Sequence, residues 1–378
     1  MSRLPLKNFL CLLLLGLYQI GFAQNTQLWS VTSNNGAHGY GTIFYIDNDG
    51  SDFTKVHDFD GVHGYPFASL TQTKEKLWGM VMGRTGSPGS TESAGHGAIF
   101  NLSVDGSIFK YVHAFNGMNG SMPLGELIEH GGRLWGMTNM GGKYDQGVIF
   151  SIGSDGVDYQ KVHDFIEREG GRPRNSLLIK GNKFWGTTSR GGKNGMGVIF
   201  NLNLDGTGYA KVYDFERKDG GEPESGLTLY EDKLWGTTAR GGRHNEGTVF
   251  SMNLDGSGFQ KVHDFIYPTL GVLILSNGKL WGMMALRGDH NAGVIFTVDS
   301  EGYQTIHHFD KENGRFPEGN LMENEGMLWG MTRFGGKSNL GVIFSIGKDG
   351  KKFKKAFDFD QTSGGVPYGS FIAFVSKQ

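Results

Sequence analysis

Residues 176–215 read SLLIKGNKFWGTTSRGGKNGMGVIFNLNLDGTGYAKVYDF, and their punctuation divides them into four short strands. Residues 176–180 form strand a and residues 183–188 strand b. Residues 197–202 form strand c and residues 208–215 strand d. Asp205-Gly206, between c and d, has hairpin chemistry, because Gly accepts a positive φ without steric cost. Gly191-Gly192 breaks the chain between b and c. Gly220-Gly221 with Pro223 breaks it after d.

The unit recurs seven times, and this decides the fold. All seven Trp share one context: Leu28-Trp29-Ser30, then Leu-Trp-Gly or Phe-Trp-Gly at Trp78, Trp135, Trp185, Trp235, Trp281 and Trp329. A Phe follows each Trp by 15 residues, except Phe100, which follows Trp78 by 22. Six residues later comes a Gly, usually in Asp-Gly. Next comes a variant of Val-His-Asp-Phe, ending at Phe59, Phe115, Phe165, Phe215, Phe265, Phe309 and Phe359. Seven of the nine Pro mark the crossover to the next unit: Pro66, Pro123, Pro173, Pro223, Pro268, Pro317 and Pro367. Four antiparallel strands repeated at about 50 residues predict an all-β, seven-bladed β-propeller rather than a solenoid. The ends support a closed ring. Residues 27–31 enter at strand b with no strand a before them, and residues 370–376 form a surplus strand a. Pairing the C-terminal strand with the N-terminal one completes a mixed blade and removes two open edges.

The run Leu234-Trp235-Gly236-Thr237-Thr238-Ala239-Arg240-Gly241-Gly242, leading into Gly247-Thr248-Val249-Phe250 and Asp255-Gly256, resembles the GloVer (Gloeo/Verruco) tandem repeat. The resemblance covers essentially all of the chain after its first residues. It implies an exported, propeller-like bacterial surface protein. It implies no reaction, since no catalytic motif defines the family. The chain ends on strand a, so no sorting or anchor domain is expected after it.

Composition narrows the function classes. The 378 residues include 36 Lys+Arg against 38 Asp+Glu, so bulk charge does not suit a nucleic-acid binder. The 63 Gly are over twice ordinary usage, and 12% aromatic residues accompany them, which predicts tight turns around a packed core. Arg3, Lys7 and an apolar run at residues 9–17 read as a secretory signal, with cleavage expected after Ala23. The run is too short to span a bilayer. Residues 24–378 then form one propeller domain. Cleavage removes Cys11, the one Cys, and leaves 34 basic against 38 acidic residues, a formal charge of −4. The expectation is a secreted or periplasmic monomer without disulfides or a membrane span.

Most recurring residues are assigned to the fold. A Trp at one place in every blade fills the wedge between neighbouring sheets. His57, His113, His163, His263 and His307, with Tyr213 and Phe357 in the other two blades, are too dispersed to share one site. Hydrogen bonds that pin the outer strand are their expected work. Asp47, Asp49 and Asp52 resemble a calcium loop through alternating oxygens. The other copies of this turn lack that acid density, so no cofactor is expected, and calcium there is the alternative. No nucleophile elbow, P-loop, dinucleotide fingerprint or zinc spacing occurs.

Departures from the repeat point to function. The b–c loops and the d–a crossovers emerge on one face. Blade 2 carries seven extra residues in its b–c loop, within 83–97, while the crossover from Phe265 to Pro268, across the ring, is short. Together they predict a cleft. Arg84, Arg190, Arg240, Arg287 and Arg333 lie four to six residues after their Trp. Lys143, Lys193, Arg243 and Lys337 lie eight after theirs, and Glu224 and Glu318 follow the crossover Pro. The expected function is binding of an extracellular glycan or another surface ligand on this face. Guanidinium forks at Arg84, Arg190, Arg240, Arg243, Arg287 and Arg333 would hold anionic or hydroxyl groups. The alternative is a polysaccharide lyase or glycoside hydrolase. Lyase chemistry needs a cation to neutralise a uronate and a base for its α-proton. His244, His290, His96 and Tyr267 are the candidates for that base. A protein-interaction scaffold is the third reading.

Overall fold

Seven antiparallel sheets form the propeller in a computed structural model that describes residues 26–83, 95–266, 271–299 and 302–375. Blade 4 contains Leu178–Lys180, Lys183–Thr188, Val198–Asn203 and Ala210–Asp214, hydrogen-bonded in that order. In blade 2, two short pieces share the place of strand a: Tyr65–Pro66 and Thr71–Gln72, both against Lys76–Met82. The ring closes as the repeat offset demands. Thr26–Thr32 pairs with Ile372–Val375, placing Leu28 opposite Ala373 and Trp29 opposite Ile372. The proposed signal, Cys11, Arg84, Tyr267 and Pro268 lie outside the described residues.

The wedge reading of Trp holds. Trp29 packs with Leu77 and Phe100 of blade 2, Trp78 with Leu134 and Phe150 of blade 3, and Trp329 with Leu28 and Phe44 of blade 1. The Gly that follows six of the seven Trp is a packing requirement. A Cβ on Gly186 would stand 2.5 Å from Cζ of Phe200, so only Gly lets that ring lie over strand b. The Asp-Gly turn is constrained twice. Gly206 has φ +84°, and a Cβ there would meet Val162 and Trp135 of blade 3.

The repeated His position meets the expectation only in part. Its rings all stack on the first aromatic residue of strand d in the next blade, while hydrogen bonds join the stacking in two blades: Asn119 Nδ2 donates to His113 Nε2 at 3.1 Å, and Tyr213 OH donates to Asp219 at 3.0 Å. His57 lies on Phe109, His113 on Tyr159, His163 on Tyr209 and Tyr213 on Phe259. His263 lies on Tyr303, His307 on Phe353 and Phe357 on Phe53, which closes the circle. Centroids are 3.8–4.5 Å apart and planes within 15°. Nε2 of His163 and of His307 has no hydrogen-bond partner. The adjacent Asp does the pinning. Asp164 accepts the Lys143 backbone N–H at 2.7 Å and pairs with Lys161 at 2.8 Å. Asp58, Asp214, Asp264 and Asp358 repeat both contacts. Asp49 belongs to another repeated device: it accepts the Ser51 N–H, as Asp205 accepts that of Thr207.

Two predictions follow from this closure and stacking. Deleting residues 369–378 strips blade 1 of its inner strand, and unfolding by heat or urea should lose its single cooperative transition. A truncated protein that melts like the parent would refute the closure. Burial lowers the pKa of all five stacked His, His307 to about 4, where its neighbour His308 also lowers it and Asp310 opposes. The unfolded chain therefore takes up protons near pH 6.5 that the folded chain refuses, and stability falls as pH drops from about 6.5 toward 4. His307→Phe copies the natural Phe357–Phe53 stack. It should flatten the fall in melting temperature across that pH range.

Candidate functional site

Side chains from six blades line one recess, so it lies on the axis of the ring. Phe67 and Ser69 enter from blade 2, Leu124 and Glu126 from blade 3, and Arg174 and Asn175 from blade 4. Glu224 enters from blade 5, Glu318 and Asn320 from blade 7, and Tyr368 from blade 1. Each follows a crossover Pro by one to three residues, where the chain turns into strand a. The inner edges of these strands carry backbone donors that need partners. Side chains of the neighbouring blade supply them. Ser176 Oγ accepts the Glu126 N–H at 2.8 Å, Asn320 Oδ1 that of Val272 at 2.7 Å, and Ser69 Oγ that of Ser370 at 2.7 Å. The rim of the recess is thereby fixed in place.

The charges inside are paired unevenly. Arg174 contacts Glu224 at 3.2 Å, and Nη1 of Arg333 donates to both oxygens of Glu318 at 2.9 Å. The Arg333 guanidinium also lies 4.4 Å over the Tyr368 ring, which stacks on Phe67 at 4.4 Å. Burial raises the Glu126 carboxyl above its ordinary range, against a hydrogen bond from Ser69 that lowers it. Burial also raises Glu224; Arg174, Arg190 and Arg240 oppose this, while Glu222 adds to it. Burial raises Glu318 against Arg333, and the charge of Glu224 adds to the rise. The free space is about 90 Å³. Such a recess can receive hydroxyl groups, offering carboxylate acceptors and guanidinium donors beside an aromatic face.

The residues selected from sequence are scattered around this centre. Arg333 lies at the recess. Arg190 stands outside it, paired with Glu222 at 3.0 Å, and Arg240 is exposed with its charge acting on Glu224. Arg243 is exposed, and its backbone N–H serves Asp264. Arg287 takes φ +115° where other b–c loops carry Gly191, Gly241 and Gly335, and its charge acts on His263 and Tyr303 at the blade 5–6 wedge. The candidate bases are not brought together. Nδ1 of His96 lies 3.0 Å from Ser121 Oγ, the charge of His244 acts on Asp264, and His290 is exposed. Among the described residues, no group of three or more His, Cys, Asp or Glu is placed to hold a metal ion. Sequence reasoning passed over Phe67, Glu126, Arg174 and Tyr368. For Phe67, Arg174 and Tyr368 the signal was variation directly after an otherwise repeated Pro: Phe67, Leu124, Arg174, Glu224, Glu318 and Tyr368.

The Arg333–Glu318 pair is mostly buried, so removing one partner strands the other. Arg333→Ala should cost about 1–3 kcal/mol in urea unfolding, and adding Glu318→Gln should restore part of it. Strict additivity of the two changes would show that the pair is not coupled.

In architecture the chain is similar to a provisionally assigned 6-phosphogluconolactonase from Bacteroides fragilis, with a TM-score of 0.58 and 14% identity, covering 93% of this chain and 98% of that one. A counterpart from Bacteroides uniformis gives 0.57 and 13%, covering 93% and 99%. At these identities the likeness concerns the fold alone. No curated protein matches the sequence. Residues 85–272 and 266–377 match the Gloeobacter/Verrucomicrobia repeat, which is most of the chain. With seven in-phase copies folded as seven blades, the protein belongs to the Gloeobacter/Verrucomicrobia repeat family.

Proposed function

We propose that this protein is exported and binds a glycan on its b–c face, taking the hydroxyl-rich end of the chain into the axial recess. The observation that carries this reading is the convergence of Glu126, Glu224, Glu318, Arg174 and Arg333 beside the stacked Phe67–Tyr368 pair. Sugar hydroxyls both donate and accept, and a sugar's C–H face packs on an aromatic ring, so this mixture suits a saccharide. The charged N-terminal segment with its apolar run supports export. A second reading, glycoside hydrolysis, takes support from Glu224 and Glu318, two carboxyls raised by burial whose charges interact. Lyase chemistry by His96, His244 or His290 draws no such support.

A panel of neutral and acidic oligosaccharides, titrated by calorimetry and assayed for cleavage products, tests both readings. Tyr368→Ala should weaken binding about tenfold, because its ring holds both Phe67 and the Arg333 guanidinium in place at the recess. Glu224→Gln should weaken it about 10- to 150-fold through one charge-assisted hydrogen bond. Unchanged affinity in both folded variants would move the site away from the axis. Product release that Glu224→Gln abolishes would turn the binder into a hydrolase.

A further inference from the structure

A wider groove opens on the same face between blades 3 and 4. Tyr144 and Gln146 of the blade 3 b–c loop form one wall, and Ile166, Glu167 and Arg168 of the next crossover line it with them. Gly192 of the blade 4 loop completes it. Its volume is about 660 Å³, within the range of small-ligand sites, against about 90 Å³ for the axial recess.

The fold does not require Tyr144. It stands nine residues after Trp135, where the other blades carry His38, Asn194, His244, His290 and Ser338. Asn194 turns inward to the carbonyl of Phe215, but Tyr144 remains 49% exposed at the groove. An aromatic ring presented this way offers a stacking platform. Its flanks are basic. Lys143 and Lys193 give their backbone N–H groups to Asp164 and Asp214, which fixes where the two residues sit. Among the described residues neither ammonium group pairs with a carboxylate, and that of Lys143 lies 5.1 Å from the Tyr144 ring centre. Arg168 adds a third cation, which reaches Glu169 at 3.4 Å. Glu167 is the acid in the groove, an acceptor for hydroxyls.

We propose that this groove is a second glycan subsite, in which one acidic pyranose stacks on Tyr144 with its carboxylate directed to Lys143 and Lys193. The proposal rests on the glycan reading and names its class: a polysaccharide containing uronic acid. Such a chain would cross the face with one unit in the groove and its end in the recess. The two sites are joined in the structure through Arg172-Pro173-Arg174. The Arg172 N–H bonds the Gln146 carbonyl at 2.8 Å, and Arg174 lines the recess.

The test compares a galacturonic acid tetramer with a neutral galactose tetramer, by calorimetry at low and high salt. The parent should prefer the acidic tetramer, and salt should erode that preference. Tyr144→Ala should weaken acidic binding about tenfold, while Tyr144→Phe retains it. Lys143→Ala with Lys193→Ala should bring the two tetramers to equal affinity. If these variants match the parent while Tyr368→Ala loses binding, the groove proposal fails and the recess stands. If Tyr144→Ala loses binding and Tyr368→Ala does not, the recess reading fails and the groove stands. A parent that binds neither tetramer overturns the groove's assigned class.

Discussion

The structure depends on the contact between one blade and the next. A single four-stranded sheet has two apolar faces and cannot bury either alone. Here each face is covered by its neighbour through the same parts: a Trp from strand b, the Val of Val-His-Asp-Phe, and the ring that follows it. They meet the Asp-Gly hairpin and the first strand-d aromatic residue of the next blade. The contact is head-to-tail, so it leaves two unsatisfied faces until the seventh blade meets the first. Phe357 on Phe53 and Trp329 against Phe44 make that meeting, and the strand Ile372–Val375 ties the backbone across it.

Within this ring, His and Asp of the repeated motif divide the work. The His is held as an aromatic disc, and burial keeps it neutral. The Asp reaches the b–c loop and takes a backbone N–H from it, so the loop's base is rigid and its tip is free to vary. The second Gly of each pair makes this possible. A Cβ on Gly142, Gly192, Gly242 or Gly336 would lie 2.4–2.6 Å from the Asp oxygen. A fixed base with a variable tip gives each blade one position to specialise, and Tyr144 occupies it in blade 3.

The crossovers show the same separation at the axis. The Leu of strand a is packed and repeated, and several polar groups beside it are committed to backbone donors of the neighbouring blade. The residue directly after the Pro makes no contact that every blade repeats. It therefore differs in chemistry from blade to blade. Burial raises the carboxyls gathered there, the charge of Glu224 adds to the rise of Glu318, and the guanidinium groups oppose that rise only in part.

Blade number, strand pattern, ring closure and the structural role of Trp were all legible in the sequence. Each rests on residues that recur in phase, and recurrence shows what every blade must satisfy. The His was legible as structural, but not as a stacking disc. Its partner is a residue of the next blade some 46 positions later, as His163 to Tyr209 illustrates. The candidate site was half legible. Arg333, Glu224 and Glu318 could be singled out, while Arg240 and Arg287 carry the same charge to different places because one residue of offset along a twisted loop redirects a side chain. Only the tertiary structure brought Phe67, Glu126, Arg174 and Tyr368 together. They are distant in sequence and share no local pattern, and they meet only because the crossovers of six blades turn inward at one axis.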